Sequence, residues 1–348
     1  MKKDNTVLLI FGGRGYEHDI SKKSAEFLFK SLDKESFTPL PVYISRSGEW
    51  LIPREPVESI SDITSYSVPM LSAAPAFRQG KCGLITDSSF IPVLAAFPML
   101  HGNLGEDGTI SGALENAKIP YVGCDTPSSA LCADKAYTKT VAEHLSIPTA
   151  SWIVTDKEVS EALSLAKEKL SFPMFIKPAR LGSSFGAHEA RDTDEFPSAY
   201  EAARALDPRV LIEEMVSVDR ELEIAYYSAL GKELFTSAGA ITYGDGFYDY
   251  DNKYGNDSSA KISADESLSA PISELLFEYA KMLKEEIGLR DISRIDFFLS
   301  TEGKIYFNEI NTMPGFTEGS LYPRLLSRHG ISPGELISSL IYEAISRA

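Results

Sequence analysis

Short apolar runs alternate with amphipathic stretches over the first part of this 348-residue chain. The first run, 7–11, ends in Gly12-Gly13-Arg14-Gly15, and apolar positions then recur at helical spacing from about Ser21. A strand, a glycine turn and a helix in this order are typical of the opening of a doubly wound α/β domain. The apolar runs 90–94 and 95–100 predict further strands, whereas residues 53–80, rich in Pro and Ser, predict an irregular insert.

The pattern changes from about residue 135. It predicts a helix over 157–170 and a buried strand over 172–176, which ends at Lys177 and leads into a Gly- and Ser-rich loop. The P-loop motif G-x-x-x-x-G-K-[ST] does not occur, but a lysine followed by such a loop can close over phosphates. A long polar and aromatic loop over 243–259 is typical of a functional lid.

The run 293–311 predicts a β-hairpin. A two-residue loop at Glu302-Gly303 would align Leu299 with Tyr306 on one face. The other face would then carry four polar side chains in two opposed pairs, Arg294 with Asn311 and Asp296 with Glu309. Two opposed carboxylates repel each other unless positive charge lies between them, and their oxygens suit Mg²⁺ shared with phosphates. A solvated, charged sheet surface is the alternative interpretation.

Composition narrows the class of protein. The formal net charge of −16 argues against sequence-independent nucleic-acid binding, which needs basic surface, but it does not argue against binding ATP. The three cysteines, Cys82, Cys124 and Cys132, show no C-x-x-C spacing and fit a reducing compartment. The apolar run near the N-terminus is too short for a signal peptide or a membrane span, so a cytoplasmic protein is expected.

Two polar positions follow predicted strands in the N-terminal region. Glu17 lies just after the first glycine turn, where it can bind a ligand or simply favour a helix N-terminus. His101 opens the run His-Gly-Asn-Leu-Gly-Glu-Asp-Gly, whose glycines let the backbone approach a ligand closely. A structural histidine is the alternative for His101.

Four stretches, 101–108, 177–186, 247–254 and 294–323, together resemble the D-alanine–D-alanine ligase family of the ATP-grasp superfamily, which includes D-alanyl-D-serine and D-alanyl-D-lactate ligases. The resemblance covers nearly the whole chain. It implies an α/β and α+β fold with an N-terminal doubly wound α/β substrate domain (1–134), a central ATP-grasp domain (135–213) and a C-terminal ATP-grasp and metal-binding domain (214–348). It also implies a homodimer formed through the N-terminal domain.

The activity implied by the resemblance is ATP-dependent synthesis of D-alanyl-D-alanine for peptidoglycan precursors. The carboxylate of the first D-alanine takes the γ-phosphate of ATP to give D-alanyl phosphate. The amine of the second D-alanine then attacks that carbonyl, and phosphate leaves from a tetrahedral intermediate.

The resemblance assigns roles by motif position. The ligands of two Mg²⁺ ions, for which Mn²⁺ can substitute, are Asp296, Glu309 and Asn311. The ATP contacts are Lys135, Lys177, Glu213, Glu221 and Lys253. The catalytic groups are Glu17, Ser183, Tyr254, Arg294 and the N–H of Gly315. The substrates lie against Glu17, His101, Ser320 and Leu321.

Some positions depart from the family or vary within it. Gly15 stands where the family usually has Ser, which weakens the assignment of Glu17. Tyr254 resembles ligases that take D-alanine, since D-lactate ligases place His there and a phenol does not titrate near neutral pH. Leu321 stands where several D-serine ligases have Arg, and an apolar side chain suits a methyl group. D-Serine is the alternative second substrate.

Three other functions fit the sequence less well. A nicotinamide-dependent dehydrogenase would fit the strand–glycine–helix opening, but it lacks the G-x-G-x-x-G fingerprint and leaves 177–323 unexplained. A non-catalytic ATP-grasp protein is disfavoured by the intact metal ligands and Arg294. Another carboxylate–amine ligase of the superfamily is disfavoured by the motifs around His101 and Tyr254.

Overall fold

The structure, a computed structural model, describes residues 5–65, 67–242, 261–263 and 268–348. Its strands are β1 (Thr6–Gly12), β2 (Thr38–Ile44), β3 (Trp50–Pro53), β4 (Met70–Arg78), β5 (Lys81–Thr86), β6 (Phe90–Pro92), β7 (Ala95–Pro98), β8 (Trp152–Thr155), β9 (Met174–Pro178), β10 (His188–Ala190), β11 (Val210–Glu214), β12 (Val218–Ala229), β13 (Lys232–Phe235), β14 (Gly239–Thr242), β15 (Lys261–Ser263), β16 (Ile292–Ser300) and β17 (Ile305–Asn311). Its helices are α1 (His18–Ser31), α2 (Ile60–Thr64), α3 (Thr109–Asn116), α4 (Thr126–Ala133), α5 (Lys135–His144), α6 (Val159–Lys169), α7 (Phe196–Leu206), α8 (Ala270–Ile287), α9 (Leu321–Arg328) and α10 (Pro333–Ser346).

The first sheet contains seven strands in the order β6-β5-β4-β3-β2-β1-β7. Strand β1, buried from Val7 to Gly12, lies between β2 and β7 and is parallel to both, which confirms the α/β opening. The strands β2 to β6 are joined by antiparallel pairs.

The irregular insert predicted over 53–80 is wrong. A capping box between Ser59 and Asp62 starts α2, and β4 pairs with β3 and β5. The serine at position 59 therefore begins a helix rather than a loop, which Pro and Ser content alone does not reveal.

The second sheet has four antiparallel strands in the order β10-β9-β11-β8. Helices α6 and α7 pack on it, and their buried residues share one core with the apolar residues of β8, β9 and β11. This sheet carries Lys177 in β9 and Glu213 in β11, two of the predicted ATP contacts.

The third sheet has the antiparallel order β15-β14-β12-β16-β17, with β13 paired to β12. Helix α8 packs on it, and Ala142 of α5 belongs to the same core. The closing helices α9 and α10 instead pack with β1 and α1, so Leu336 and Ile341 share a core with Val7 and Phe29. These packings confirm the α/β and α+β fold class and bring distant parts of the chain together around β16 and β17. None of the helices in the described ranges has the length and apolar content needed to span a lipid bilayer.

Candidate active site

The hairpin of β16 and β17 has the predicted register at its polar end. Arg294 pairs with Asn311, and Asp296 pairs with Glu309. Near the turn the prediction is wrong, because Leu299 pairs with Ile305 instead of Tyr306. The strand pairing departs from the predicted register in two places, by one residue each, and the two departures cancel. The loop holds three residues, 301–303, and a β-bulge between Asp296 and Phe297 and their partners restores the alignment.

The bulge places an unpredicted residue in the site. Asn308 is the extra residue between Phe307 and Glu309 in the pairing, and it lines the same cavity as Glu309. Its Oδ1 atom is buried and accepts no hydrogen bond from any of the described residues. A buried carbonyl oxygen without a donor is costly, so Asn308 has an acceptor available for a bound ligand.

Arg294 is held by two carboxylates. Its Nε and Nη2 donate to Asp296 Oδ1 and Oδ2 at 2.8 and 2.6 Å, and Nε lies 3.2 Å from Glu223 Oε2. Burial opposes the charged form, but the carboxylates of Asp296 and Glu223 raise the pKa of Arg294 well above its usual value. The guanidinium is therefore a permanent, oriented cation. Glu223 was not predicted. It lies two residues after Glu221 in the alternating pattern of β12, and it pairs with Asp296 of β16.

The predicted metal ligands form a small set of oxygen donors. Asp296 and Glu309 lie opposite each other, and Asn311 Nδ2 donates to Asp296 Oδ2 at 3.0 Å. No group of three His, Cys, Asp or Glu side chains with metal-binding geometry occurs among the described residues. Two carboxylates and an amide nevertheless fit Mg²⁺, which usually keeps several positions for water and substrate phosphates.

Two predicted lysines line the cavity that Asn308 and Glu309 also line, here called the lysine cleft. The Nζ of Lys135 donates to the carbonyl of Leu181 at 2.7 Å and lies 3.2 Å from Glu309 Oε2. The cleft is also lined by Lys177, Glu221 and Asp296. The predicted ATP contacts Lys135, Lys177 and Glu221 therefore meet the hairpin face, and the two ammonium groups suit phosphate oxygens.

Glu213 has a different position from the one expected for a simple nucleotide contact. It is 4% exposed, and its two oxygens lie 2.5 Å from Lys139 Nζ and 2.6 Å from Lys177 Nζ. Burial favours the neutral acid, but the two ammonium groups prevail and lower the pKa of Glu213 to about 2. Lys139 was not predicted, and its place one turn after Lys135 on α5 was the available indication.

A larger cavity of about 390 Å³ shares Arg294 and Glu309 with the lysine cleft and is also lined by Glu17 and His101. Its volume suits small substrates. Glu17 accepts a short hydrogen bond from the Ser183 hydroxyl, which joins the first turn to the Gly- and Ser-rich loop. Ser183 has a left-handed backbone (φ 51°), a conformation that a packed loop must hold in place.

The glycines around Glu17 explain one departure from the family pattern. A Cβ on Gly102, whose φ is +67°, would lie 1.8 Å from Glu17 Oε2. A Cβ on Gly15 would lie 2.5 Å from the carbonyl oxygen of Asn103. The close approach of the 101–108 loop therefore requires glycine at position 15 in this chain.

His101 links two distant segments. Its Nε2 lies 2.9 Å from Ser24 Oγ, and its Nδ1 lies 2.9 Å from the carbonyl oxygen of Met313. A carbonyl only accepts, so Nδ1 carries the proton and Nε2 accepts from Ser24. Burial lowers the pKa of His101, which keeps the ring neutral. His101 lines the cavity, but both nitrogens are already used to hold its walls together.

Glu106, which was not predicted, is a further acid of the large cavity, which Glu17, Glu223 and Glu309 also line. Burial, and then the charges of Glu17 and Glu309, raise its pKa to about 8. The acids on this wall therefore repel one another, and the cavity favours cationic groups such as an amino acid's ammonium.

The segment after β17 lines the far end of the large cavity and includes Gly315, Ser320 and Leu321. Ser320 accepts a hydrogen bond from the Thr317 N–H at 3.0 Å and precedes α9. Leu321 is 6% exposed and presents an apolar wall that packs over Gly239. The two remaining predicted residues, Lys253 and Tyr254, lie outside the described residues.

Comparisons with known proteins identify the family. Residues 6–124 match the family model of the D-ala D-ala ligase N-terminus, and residues 141–342 match that of the D-ala D-ala ligase C-terminus. A D-alanine–D-alanine ligase of Ruminiclostridium cellulolyticum is 35% identical over 98% of this chain and 95% of its own. A second, from Acetivibrio thermocellus, is 38% identical over 98% of this chain and 96% of its own.

Solved structures give the same result. VanG D-Ala:D-Ser ligase from Enterococcus faecalis superimposes with a TM-score of 0.88 and 32% identity, covering 98% of this chain and all of that one. D-alanyl-alanine synthetase A from Vibrio cholerae superimposes with a TM-score of 0.86 and 30% identity, covering 99% and 100%. These similarities confirm the ATP-grasp architecture and leave the dehydrogenase alternative without support. The chain belongs to the D-alanine–D-alanine ligase family of ATP-dependent ligases.

Proposed function

We propose that this protein joins two D-alanine molecules to D-alanyl-D-alanine at the expense of ATP. The observation that carries the proposal is the position of one hairpin face between two cavities. Arg294 and Glu309 line both the lysine cleft and the large cavity. A phosphate donor on one side and a carboxylate acceptor on the other would meet at this face.

Phosphoryl transfer comes first in the proposed reaction. Lys135 and Lys177 hold phosphate oxygens of ATP, while Glu17 and the acidic wall hold the ammonium of the first D-alanine. An oxygen of the D-alanine carboxylate attacks the γ-phosphorus, the bond to ADP breaks, and D-alanyl phosphate forms. Asp296, Glu309 and Asn311 would hold two Mg²⁺ ions, or Mn²⁺ in their place, which neutralise charge on the transferred group.

Peptide-bond formation follows. The amine of the second D-alanine attacks the acyl carbon, and inorganic phosphate leaves from the tetrahedral intermediate. Arg294 and the N–H of Gly315 stabilise its oxyanion, and Arg294 is already oriented by Asp296. Ser320 and Leu321 receive the second substrate, and Leu321 suits a methyl group.

Further parts of the proposal concern organisation. The three sheets support domains at 1–134, 135–213 and 214–348. We also propose that Lys253 contacts phosphate, that Tyr254 acts with Ser183 and Glu17 in closing the site, that the N-terminal domain forms a homodimer, and that the protein works in the cytoplasm, where ATP is available.

Product analysis tests the proposed function. The protein is incubated with ATP, Mg²⁺ and equal amounts of D-alanine, D-serine and D-lactate, and the products are identified by mass spectrometry. We expect D-alanyl-D-alanine to dominate, with one ADP released for each dipeptide. Dominant D-alanyl-D-serine would support the alternative acceptor, for which the similarity to VanG is the specific observation. Absence of D-alanine-dependent ADP release would support a non-catalytic protein.

A matched variant sharpens the acceptor test. Leu321→Arg replaces the apolar wall with a hydrogen-bonding cation. We expect the ratio of kcat/KM for D-serine to that for D-alanine to rise by about tenfold or more, since a hydrogen bond to a hydroxyl discriminates more strongly than an apolar contact. An unchanged ratio would show that Leu321 does not select the acceptor.

A further inference from the structure

Three ionic side chains form a buried cluster behind the lysine cleft. Lys139 Nζ lies 2.5 Å from one oxygen of Glu213, and Lys177 Nζ lies 2.6 Å from the other. Lys139 is 1% exposed and Glu213 is 4% exposed. A single carboxylate thus compensates two ammonium groups, and the cluster carries one net positive charge.

The two lysines differ in what they can reach. Lys177 lines the lysine cleft beside Lys135 and Asp296, whereas Lys139 is enclosed on α5 and is linked to the cleft through Glu213, which in turn contacts Lys177. Burying an ammonium is costly, and burial lowers the pKa of Lys139 against the opposing effect of Glu213. Lys139 does not line the cleft, so direct contact with a phosphate does not account for this cost.

Lys177 contacts Glu213 in this structure and also lines the lysine cleft. If Lys177 turned toward a phosphate, its contact with Glu213 would weaken, and a buried carboxylate without a counter-ion is strongly unfavourable. Lys139 stays on the other oxygen and compensates the carboxylate throughout. Without Lys139, Glu213 and Lys177 would form a neutral pair, and Lys177 could bind phosphate only by leaving a buried charge alone.

We propose that Lys139 is a positioning residue for nucleotide binding, which holds Glu213 so that Lys177 is free to bind phosphate oxygens. The inference rests on the phosphate-binding role proposed for Lys177. It predicts a specific coupling: the importance of Lys139 depends on the negative charge of Glu213. If Lys139 merely tied α5 to β11, its replacement would not change nucleotide binding in a way that depends on the charge of Glu213.

A double-mutant cycle on ADP binding tests the coupling. The full-length variants Lys139→Met, Glu213→Gln and the double variant are titrated with ADP in the presence of Mg²⁺ by calorimetry. We expect Lys139→Met to raise the Kd of ADP about 10- to 100-fold in the wild-type background. In the Glu213→Gln background, where Lys177 is no longer held by a carboxylate, the same change should alter Kd by less than about threefold. An equal loss in both backgrounds, or no loss in the wild-type background, would overturn the proposal.

Controls separate this result from loss of folding and from failure of the proposed function. Thermal unfolding of each variant checks the fold, and Lys139→Gln replaces Lys139→Met if the latter does not fold. Lys167→Met, an exposed lysine of α6, should leave the Kd of ADP unchanged. If Lys177→Met does not weaken ADP binding, the phosphate role of Lys177 is wrong. If it does weaken binding but the cycle is additive, only the role of Lys139 is wrong.

Discussion

Replacing Arg294 with lysine tests the hairpin face as a catalytic surface. Lysine keeps the positive charge but loses the two-pronged contact with Asp296, in which Nε and Nη2 donate at 2.8 and 2.6 Å. It also cannot keep the same approach to Glu223, now 3.2 Å away. The variant therefore keeps the positive charge beside the two carboxylates but loses the oriented N–H donors of the guanidinium.

The magnitude follows from the role of that donor. Losing one oriented donor to an oxyanion removes about 3–4 kcal/mol of transition-state stabilisation, which corresponds to a loss of roughly 10²- to 10³-fold in kcat. The Kd of ADP should change by less than about threefold, because the proposed phosphate contacts are made by Lys135 and Lys177. The assay is ADP release at saturating ATP and D-alanine, with ADP binding measured separately.

Arg290→Lys is the matched control. Arg290 lies four residues earlier and donates to the Gly123 carbonyl at 3.0 Å and to the Tyr121 hydroxyl at 3.1 Å, outside the large cavity. Its replacement should leave kcat within about twofold of the wild type. A folded Arg294→Lys variant with kcat within about fivefold of the wild type would refute the assignment, as would an equal loss in Arg290→Lys.

Three further predictions concern binding and stability. Glu17→Gln should raise the KM for the first D-alanine by about tenfold or more while leaving the Kd of ADP unchanged. The change removes the charge that faces the ammonium and weakens the contact with Ser183. A constant KM in steady-state kinetics at saturating ATP would contradict this. The pKa of Glu213 is lowered to about 2 from 4.5, so its ionised form stabilises the folded state by about 3 kcal/mol above pH 4.5, and this is lost as pH falls toward 2. Urea unfolding between pH 5 and 3 should therefore show a weaker pH dependence in Glu213→Gln, and an unchanged slope would contradict the lowered pKa. Arg347→Met should destabilise the protein by about 3–5 kcal/mol, because it leaves the fully buried Asp291 without its ion-pair partner at 2.5 Å; a loss below about 1 kcal/mol in urea unfolding would contradict this.

The polar end of the hairpin could be predicted from the sequence, because polar and apolar residues alternate within 294–296 and within 309–311, and the apolar ones must face a core. The turn could not, since a three-residue loop and a β-bulge each shift the register by one and leave no distinct pattern in the sequence. Asn308 was missed for that reason. Its side chain lines the lysine cleft only because the bulge breaks the alternation.

Residues that act through other residues were the hardest to find. Glu223 and Lys139 match no short motif, and each gains its meaning from a partner that is distant in sequence: Arg294 for Glu223, and Glu213 for Lys139. His101, predicted to lie beside the first D-alanine, lines the large cavity, but its bonds to two segments far apart in the chain depend on tertiary packing. The sequence therefore predicts groups that line the two cavities better than groups that orient them.

The central claim is that the hairpin face joins a carboxylate to an amine through D-alanyl phosphate. The most direct measurement uses D-alanine labelled with ¹⁸O in its carboxylate, with ATP and Mg²⁺, and follows the label in released phosphate by mass spectrometry. Because one carboxylate oxygen becomes the bridging oxygen of the acyl phosphate and leaves with it, we predict one ¹⁸O in each phosphate formed together with D-alanyl-D-alanine. Phosphate that carries no ¹⁸O would contradict the account.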